Sequence, residues 1–227
     1  MIWRPRQPAY RTNPHLPLAD DLYLIALDER TGRYRRPERA VRLALAAALL
    51  GELVLAGRLD IRGRRLVVVQ QRTRPADPLA ATVEHRILAE PGAVPVAGWL
   101  DYLAQEYPDK IVSRLRDRGW IIPAVTRRLW SRTVVARPAS RDRATDIAWR
   151  APRIANALTG QGVCGWEELL LARLMMILDL LAPVVYDGQI RKAERHVEER
   201  IREALPLWAL TAVTKAAVDQ ITLSHRR

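Results

Sequence analysis

The sequence predicts a mainly α-helical single domain, in which a central apolar helix bundle is ringed by amphipathic helices and carries two short β-hairpins. Two long segments, Leu43–Leu55 and Trp166–Leu181, are apolar nearly all round, which is typical of helices at the centre of a domain. Shorter segments with apolar residues on one helical face surround them in the sequence. The 227 residues, 49% of them apolar and 27% charged, suffice for one compact core.

Elements of the first half follow from apolar spacing and from residues that begin or end helices. In residues 18–27, apolar side chains recur on one helical face, and Asp20 and Asp21 occupy the first turn, where acids are favourable. Pro37 suits the first position of the central helix, and Gly57 suits the cap that ends it. Three elements come next: a hairpin over 59–70 with a valine-rich second strand, and amphipathic helices over 79–89 and 96–106.

The second half repeats the order of helix and hairpin before it becomes helical throughout. A helix over 109–118 precedes strands over 120–125 and 129–135, with the turn expected at 126–128. The polar stretch 137–146 has no apolar periodicity and is predicted to be a connection. Four helices complete the chain, over 147–158, 166–181, 189–205 and 207–223.

Composition limits the class of protein. The formal net charge is +12, and arginine supplies most of it, since only three of the 37 basic residues are lysines. A surface this basic favours an anionic partner, either nucleic acid or an acidic membrane face. The single cysteine, Cys164, excludes an internal disulfide and fits a reducing compartment, so we expect a cytoplasmic protein. Residues 1–17 are predicted to be a basic, proline-rich tail without a secretory apolar stretch, and residues 18–227 to form the domain.

The signals for an enzyme are weak. Gly160–Gly165 matches the G-x-G-x-x-G pattern of dinucleotide binding, but that pattern must follow a strand, and a helix is predicted before it. The four histidines lack the i, i+4 spacing that places two metal ligands on one helical face. Paired acids fall near helix starts or on charged faces, where the helix dipole and solvent account for them. We therefore expect a non-enzymatic protein with no catalytic residue, metal or cofactor.

Arginines concentrate at the start of the central helix. Arg39 and Arg42 precede turns that are expected to be buried, and backbone N–H groups at a helix start also favour an anion. A basic pocket is one interpretation, and a solvated charged face is the other. Leu129 and Trp130 stand out in the second hairpin, because they are bulky apolar residues among arginines. They fit a hairpin folded onto the core, a wedge for the bilayer interface or a self-association contact.

A helix followed by a basic hairpin is also similar to a winged helix, so a DNA-binding regulator is the alternative function. The central helix is a poor recognition helix, because Glu52 is the one charged residue of its apolar run. The helix over 109–118 is a better candidate, since it carries Arg114, Arg116 and Arg118. Nucleic acid therefore remains a second class of partner.

The chain after the tail resembles the Golgi phosphoprotein 3 family, including its bacterial members. The resemblance is carried by LADDLYLIALDERTGR (18–33), AAALLGELVLAGRL (46–59), DPL (77–79) and IVSRLRDRGWI (111–121). It implies a mainly helical fold with a projecting hairpin. It also implies peripheral membrane binding, since the eukaryotic members bind phosphatidylinositol 4-phosphate at the Golgi through a tryptophan and arginines, and act as adaptors that link glycosyltransferase tails to vesicle coats.

The headgroup pocket of that family is not reproduced residue for residue. Its tryptophan falls on Pro37, an arginine of its central helix on Ala46, and its later arginine pair near Gln105 and Pro108. A rearranged anion pocket is the hypothesis, since Arg42 lies one turn before Ala46 on the same face. The expected anionic-lipid site comprises Arg36, Arg39, Arg42, Lys110 and Arg114, and the expected membrane or self-association contact comprises Leu129 and Trp130.

Overall fold

Helices dominate the computed structural model of the chain, which describes residues 16–69, 75–90, 92, 94–128, 131–159, 164–185 and 188–224. The predicted mainly α-helical single domain with two hairpins is confirmed. Most of the predicted tail lies outside the described residues. In chain order the elements are α1 (Leu18–Ala26), α2 (Glu38–Leu55), β1 (Leu59–Arg62), β2 (Arg65–Val68), α3 (Pro78–Ala89), α4 (Val96–Glu106), α5 (Pro108–Asp117), β3 (Ile121–Arg128), β4 (Ser131–Pro138), α6 (Arg141–Ala148), α7 (Arg150–Thr159), α8 (Trp166–Ile177), a single 3-10 turn (Ala182–Val184), α9 (Ile190–Glu203) and α10 (Leu205–Ser224).

The helix α2 is the centre of the domain. It contacts α1, α4, α8 and α10, and its alanines and leucines are buried on nearly every side. At Gly51 a Cβ atom would lie 2.4 Å from Leu170 Cδ2, so α2 and α8 approach more closely than a larger side chain allows without movement of Leu170. A helix whose sequence is apolar on every side is therefore surrounded by other helices, as the pattern predicts.

Both predicted hairpins form, and they differ in length. In the first, β1 pairs antiparallel with β2 through a two-residue turn, Gly63 and Arg64, whose φ angles of 53° and 66° match the twist of a tight hairpin. In the second, β3 and β4 have eight residues each, and Arg128 pairs with Ser131. The strands therefore run past the predicted turn at 126–128, and Leu129 and Trp130, which connect them, lie outside the described residues.

The helix α6 was not expected from the sequence, which predicted a connection over 137–146. The Ser140 hydroxyl accepts a hydrogen bond from the Arg143 N–H at 3.2 Å and begins the helix. Ile147 is its one buried residue, so no apolar period marks it. Capping rather than amphipathicity is the signal that identifies this helix. Among the described residues, none of the helices is both long enough and apolar enough to span a membrane.

Candidate functional site

A cleft of about 540 Å³ lies where the connection between α1 and α2 meets α5 and the β3–β4 hairpin. The end of α1, the first turns of α2 and both strands of the hairpin contribute to its walls. Its lining residues are Tyr23, Leu27, Gly32, Arg33, Tyr34, Arg36, Glu38, Arg42, Asp109, Val112, Arg116, Ile121, Ile122, Pro123, Val134, Val135 and Ala136.

The lining carries a net positive charge, because its four arginines outnumber its two carboxylates and leave a charge of +2. Arg42 is fixed by its neighbours. Its Nε donates to Glu38 Oε1 at 3.0 Å, one Nη donates to the Ala104 carbonyl oxygen at 3.4 Å, and the other lies 3.7 Å from Asp109 Oδ1. Its guanidinium is therefore held in place at the cleft without being buried.

Arg36 is anchored from a different side of the domain. Its Nη2 donates to the carbonyl oxygen of Asp179, just after the end of α8. Its Nε is buried and has no acceptor among the described residues. Its described acceptor is thus a backbone carbonyl rather than a carboxylate, so Arg36 keeps its positive charge at the cleft.

Two tyrosines contribute uncharged side chains to the lining of the cleft. The rings of Tyr23 and Tyr34 pack edge to face, with their centroids 5.6 Å apart. Burial raises the pKa of Tyr23 to about 12, and it raises the pKa of Tyr34 further. Neither phenol ionises near neutral pH, so the positive lining faces no tyrosinate that would repel an anion.

The loop that carries Arg33 is shaped by Asp28 and Gly32. The Asp28 carboxylate accepts hydrogen bonds from the N–H groups of Arg30 and Thr31, and the Thr31 N–H holds the pKa of this carboxyl below its usual value. Gly32 has a φ of 68°, and a Cβ atom there would lie 2.5 Å from the Ala136 carbonyl oxygen. Only glycine fits this close approach, which packs the loop against β4.

The structure brings together two of the five basic residues that the sequence singled out. Arg36 and Arg42 line the cleft, whereas Arg39 is exposed outside it. Lys110 is also exposed outside the lining, with its Nζ 4.1 Å from the centroid of the Tyr107 ring. Arg114 lies elsewhere, with 10% of its side chain exposed.

Arg114 belongs to an acid cluster around the buried Asp20, which we define as Asp20, Glu52, Asp77, Arg114 and Arg118. Its guanidinium contacts Asp20 and Asp77 at 2.6 Å each, and Arg118 lies 3.3 Å from Asp20. Burial raises the pKa of Asp20 against the opposing effect of Arg114. Glu52 accepts the Ala19 N–H at 2.8 Å, and burial raises its pKa to about 8. Arg114 is engaged by two carboxylates of this cluster, so it is left out of the candidate site.

Two arginines of the cleft were not in the expected site. Arg33 belongs to the basic link before α2, and Arg116 to α5. Val112 precedes Arg116 by four residues and also lines the cleft, so the i, i+4 relation on α5 was the available signal. The sequence could not assign this face of α5 to the cleft, because α5 is basic on more than one side.

The hairpin beside the cleft exposes apolar side chains. Val125 and Val134 are direct partners across the strands, with 47% and 65% of their surfaces exposed. They lie on the strands that lead to the connection with Leu129 and Trp130, whose own positions lie outside the described residues. An apolar surface thus adjoins a positively charged cleft, and Val134 belongs to both.

Comparison with known proteins gives one result. The family model described as Golgi phosphoprotein 3 (GPP34) matches residues 18–220, which is nearly all of the chain after the predicted tail. A search of curated proteins found no match.

Proposed function

We propose, from the premise that this chain belongs to the Golgi phosphoprotein 3 family, that it is a non-enzymatic peripheral membrane protein which binds anionic phospholipid headgroups. The observation that carries the proposal is the cleft lined by Arg33, Arg36, Arg42 and Arg116 beside a hairpin with exposed valines. Protein partners or self-association through that hairpin, and a cytoplasmic location, complete the proposal.

The charges suit a phosphate group at a membrane surface. One guanidinium group donates to two phosphate oxygens at once. Each arginine near an acidic bilayer contributes about 1 kcal/mol to binding. The cleft has the volume of a small-molecule site, about 540 Å³. With a headgroup in the cleft, the exposed Val125 and Val134 would enter the interface between headgroups and acyl chains.

Recognition of phosphatidylinositol 4-phosphate would require different residues from those that the family resemblance implies. Pro37 has no side-chain donor, and Ala46 is 1% exposed inside α2. In this chain the donors would be Arg33 and Arg36 before α2 and Arg116 on α5. Arg42 on α2, which is already bound to Glu38 and Ala104, would add positive charge. We propose this substitution of one arginine set for another as the finer form of the function.

Vesicle co-sedimentation tests the proposal. Phosphatidylcholine vesicles, the same with phosphatidylserine, and the same with phosphatidylinositol 4-phosphate are each compared with and without duplex DNA. The double variant Arg33→Glu/Arg116→Glu reverses two exposed lining charges for which the described structure gives no ion pair, so it should fold normally. We expect it to bind anionic vesicles at least about tenfold more weakly than the unmodified chain.

The matched control is Arg191→Glu/Arg195→Glu, which makes the same change in net charge on exposed positions of α9. It should bind vesicles nearly as the unmodified chain does, because its sites lie outside the cleft. If both variants lost vesicle binding equally, the loss would reflect net charge and not the cleft. Undiminished binding by the cleft variant would contradict the proposal.

The vesicle experiment also tests the DNA-binding alternative. As a recognition helix α5 would need a free basic stripe, but Arg114 and Arg118 are paired with Asp20 and Asp77. Arg116 faces the cleft instead. Vesicle binding that persists in the presence of duplex DNA supports the membrane function. Vesicle binding that duplex DNA abolishes would indicate that the cleft binds nucleic acid.

A further inference from the structure

Arg173 is a buried arginine at the junction of α8, α9 and α10, which contact one another. Only 6% of the residue is exposed. Its Nε is fully buried without an acceptor, and no described residue accepts a hydrogen bond from its guanidinium or forms an ion pair with it. In contrast, the nearly buried Arg114 contacts two carboxylates.

An unpaired buried guanidinium is costly. Buried charges in proteins are almost always paired, because removal from water without a partner costs several kcal/mol. Burial lowers the pKa of Arg173, but an arginine begins from so high a value that it keeps its proton. Arg173 cannot escape the cost by becoming neutral, so its missing acceptor requires an explanation.

An indole lies beside Arg173, and a second guanidinium lies beside the same indole. The Cζ atoms of Arg173 and Arg202 lie 5.6 Å and 4.8 Å from the centroid of the Trp208 ring. Glu198 is the carboxylate that acts on Arg173 electrostatically, but its Oε1 contacts the Arg202 Nη2 at 3.1 Å. Two cations thus share one aromatic ring and one carboxylate, and Arg202, with 60% of its side chain exposed, is accessible from solvent.

We propose that Arg173 and Arg202 form, beside Trp208, a binding site for one small oxyanion, a phosphate or a carboxylate group. Two guanidiniums beside one indole are suited to an oxyanion, since each presents N–H donors in a plane that matches its oxygens. The small exposed fraction of Arg173 admits a single such group rather than a broad surface. The site is separate from the cleft, whose lining contains no residue of α8, α9 or α10.

The indole N–H signal of Trp208 in a ¹⁵N-labelled protein is the direct reporter, assigned with Trp208→Phe. Sodium phosphate and sodium acetate are titrated separately at constant ionic strength. We expect a saturable shift of the Trp208 signal with half-saturation at about 1 mM for at least one of them. Arg173→Met should abolish this shift, whereas Arg191→Met, an exposed position on α9, should retain it. No saturable shift, or the same shift in Arg173→Met, would overturn the proposal.

Thermal stability gives an independent measurement. Without added anion, Arg173→Met should raise the melting temperature by a few degrees, because it replaces an unpaired buried charge with an apolar side chain of similar length. Phosphate or acetate should then stabilise the unmodified chain and leave the variant unchanged. If a rotated Glu198 already satisfied Arg173, the variant would melt at a lower temperature and the proposed site would not exist.

The source of the oxyanion is resolved with vesicles that contain phosphatidic acid. Weaker vesicle binding by Arg173→Met identifies a lipid phosphate, and unchanged vesicle binding beside a lost Trp208 shift identifies a free ion or the end of a soluble molecule. The cleft variant Arg33→Glu/Arg116→Glu should keep the Trp208 shift. Failure of this site and failure of the proposed lipid cleft are therefore distinguishable.

Discussion

Arg114 on α5 donates two hydrogen bonds to Asp20 on α1, since its Nε and Nη2 both contact Oδ1, at 2.9 Å and 2.6 Å. Asp20 has no exposed surface, and the third donor of Arg114 goes to Asp77, whose Oδ1 also accepts the N–H groups that begin α3. One side chain thus links three helices. Because α5 also carries Arg116, this link helps to fix a wall of the cleft.

The substitution Arg114→Met tests this link. It leaves Asp20 buried without its main partner, so we expect a loss of about 3 to 5 kcal/mol in the free energy of unfolding. Urea denaturation measures the loss. Arg116→Met is the matched control two residues away, exposed and outside the acid cluster, and should change stability by no more than about 0.5 kcal/mol. Similar values for the two variants would mean that the Arg114 contacts contribute little.

Sequence reasoning predicted local features well and long-range pairing poorly. The all-round apolar run of α2 and the valines of the first hairpin are local patterns, and both elements formed where expected. Arg114 was expected to bind an anion because it lies on a basic helix. Its partner Asp20 is 94 residues earlier in the chain, and no local pattern relates them.

The candidate site was likewise predictable only where its residues are close in sequence. Arg36 and Arg42 belong to one run of arginines before and within α2, and the structure places both at the cleft. Arg116 joins them only because α5 packs beside the hairpin, which is a tertiary relation. The polar α6 was missed for the opposite reason, since a cap at Ser140 and one buried isoleucine leave no periodic pattern.

Glu52 gives the protein a pH-dependent stability. Burial raises its pKa from 4.5 to about 8, so its stabilising effect is complete below about pH 4.5 and is lost as the pH rises to about 8. Glu52→Gln keeps an oxygen acceptor for the Ala19 N–H and carries no charge at any pH. We expect the melting temperature of the unmodified chain to fall relative to that of the variant across this range. A difference that does not change with pH would contradict the raised pKa.

Gly32 should tolerate no side chain. Gly32→Ala combines a left-handed backbone, with φ at 68°, and a Cβ atom 2.5 Å from the Ala136 carbonyl oxygen. We expect a loss of about 2 to 5 kcal/mol and a loosened contact between the loop and β4. Gly63→Ala is the control, because φ is 53° there and nothing lies within 4 Å of the added Cβ atom. It should lose only about 1 to 2 kcal/mol. Equal losses would show that the approach to Ala136 is unimportant.

The exposed valines of the second hairpin should contribute to membrane binding rather than to stability. Val125→Thr/Val134→Thr keeps β-branched side chains on paired strand positions that are 47% and 65% exposed, so unfolding should change by no more than about 0.5 kcal/mol. Vesicle affinity should fall about three- to tenfold, because two apolar side chains that enter the interface have become polar. Leu88→Gln, at a position 57% exposed on α3, removes a comparable apolar side chain outside the hairpin and should leave vesicle binding unchanged. If the hairpin variant binds vesicles like the unmodified chain while its sedimentation shows a smaller assembly, these valines serve self-association instead of the bilayer.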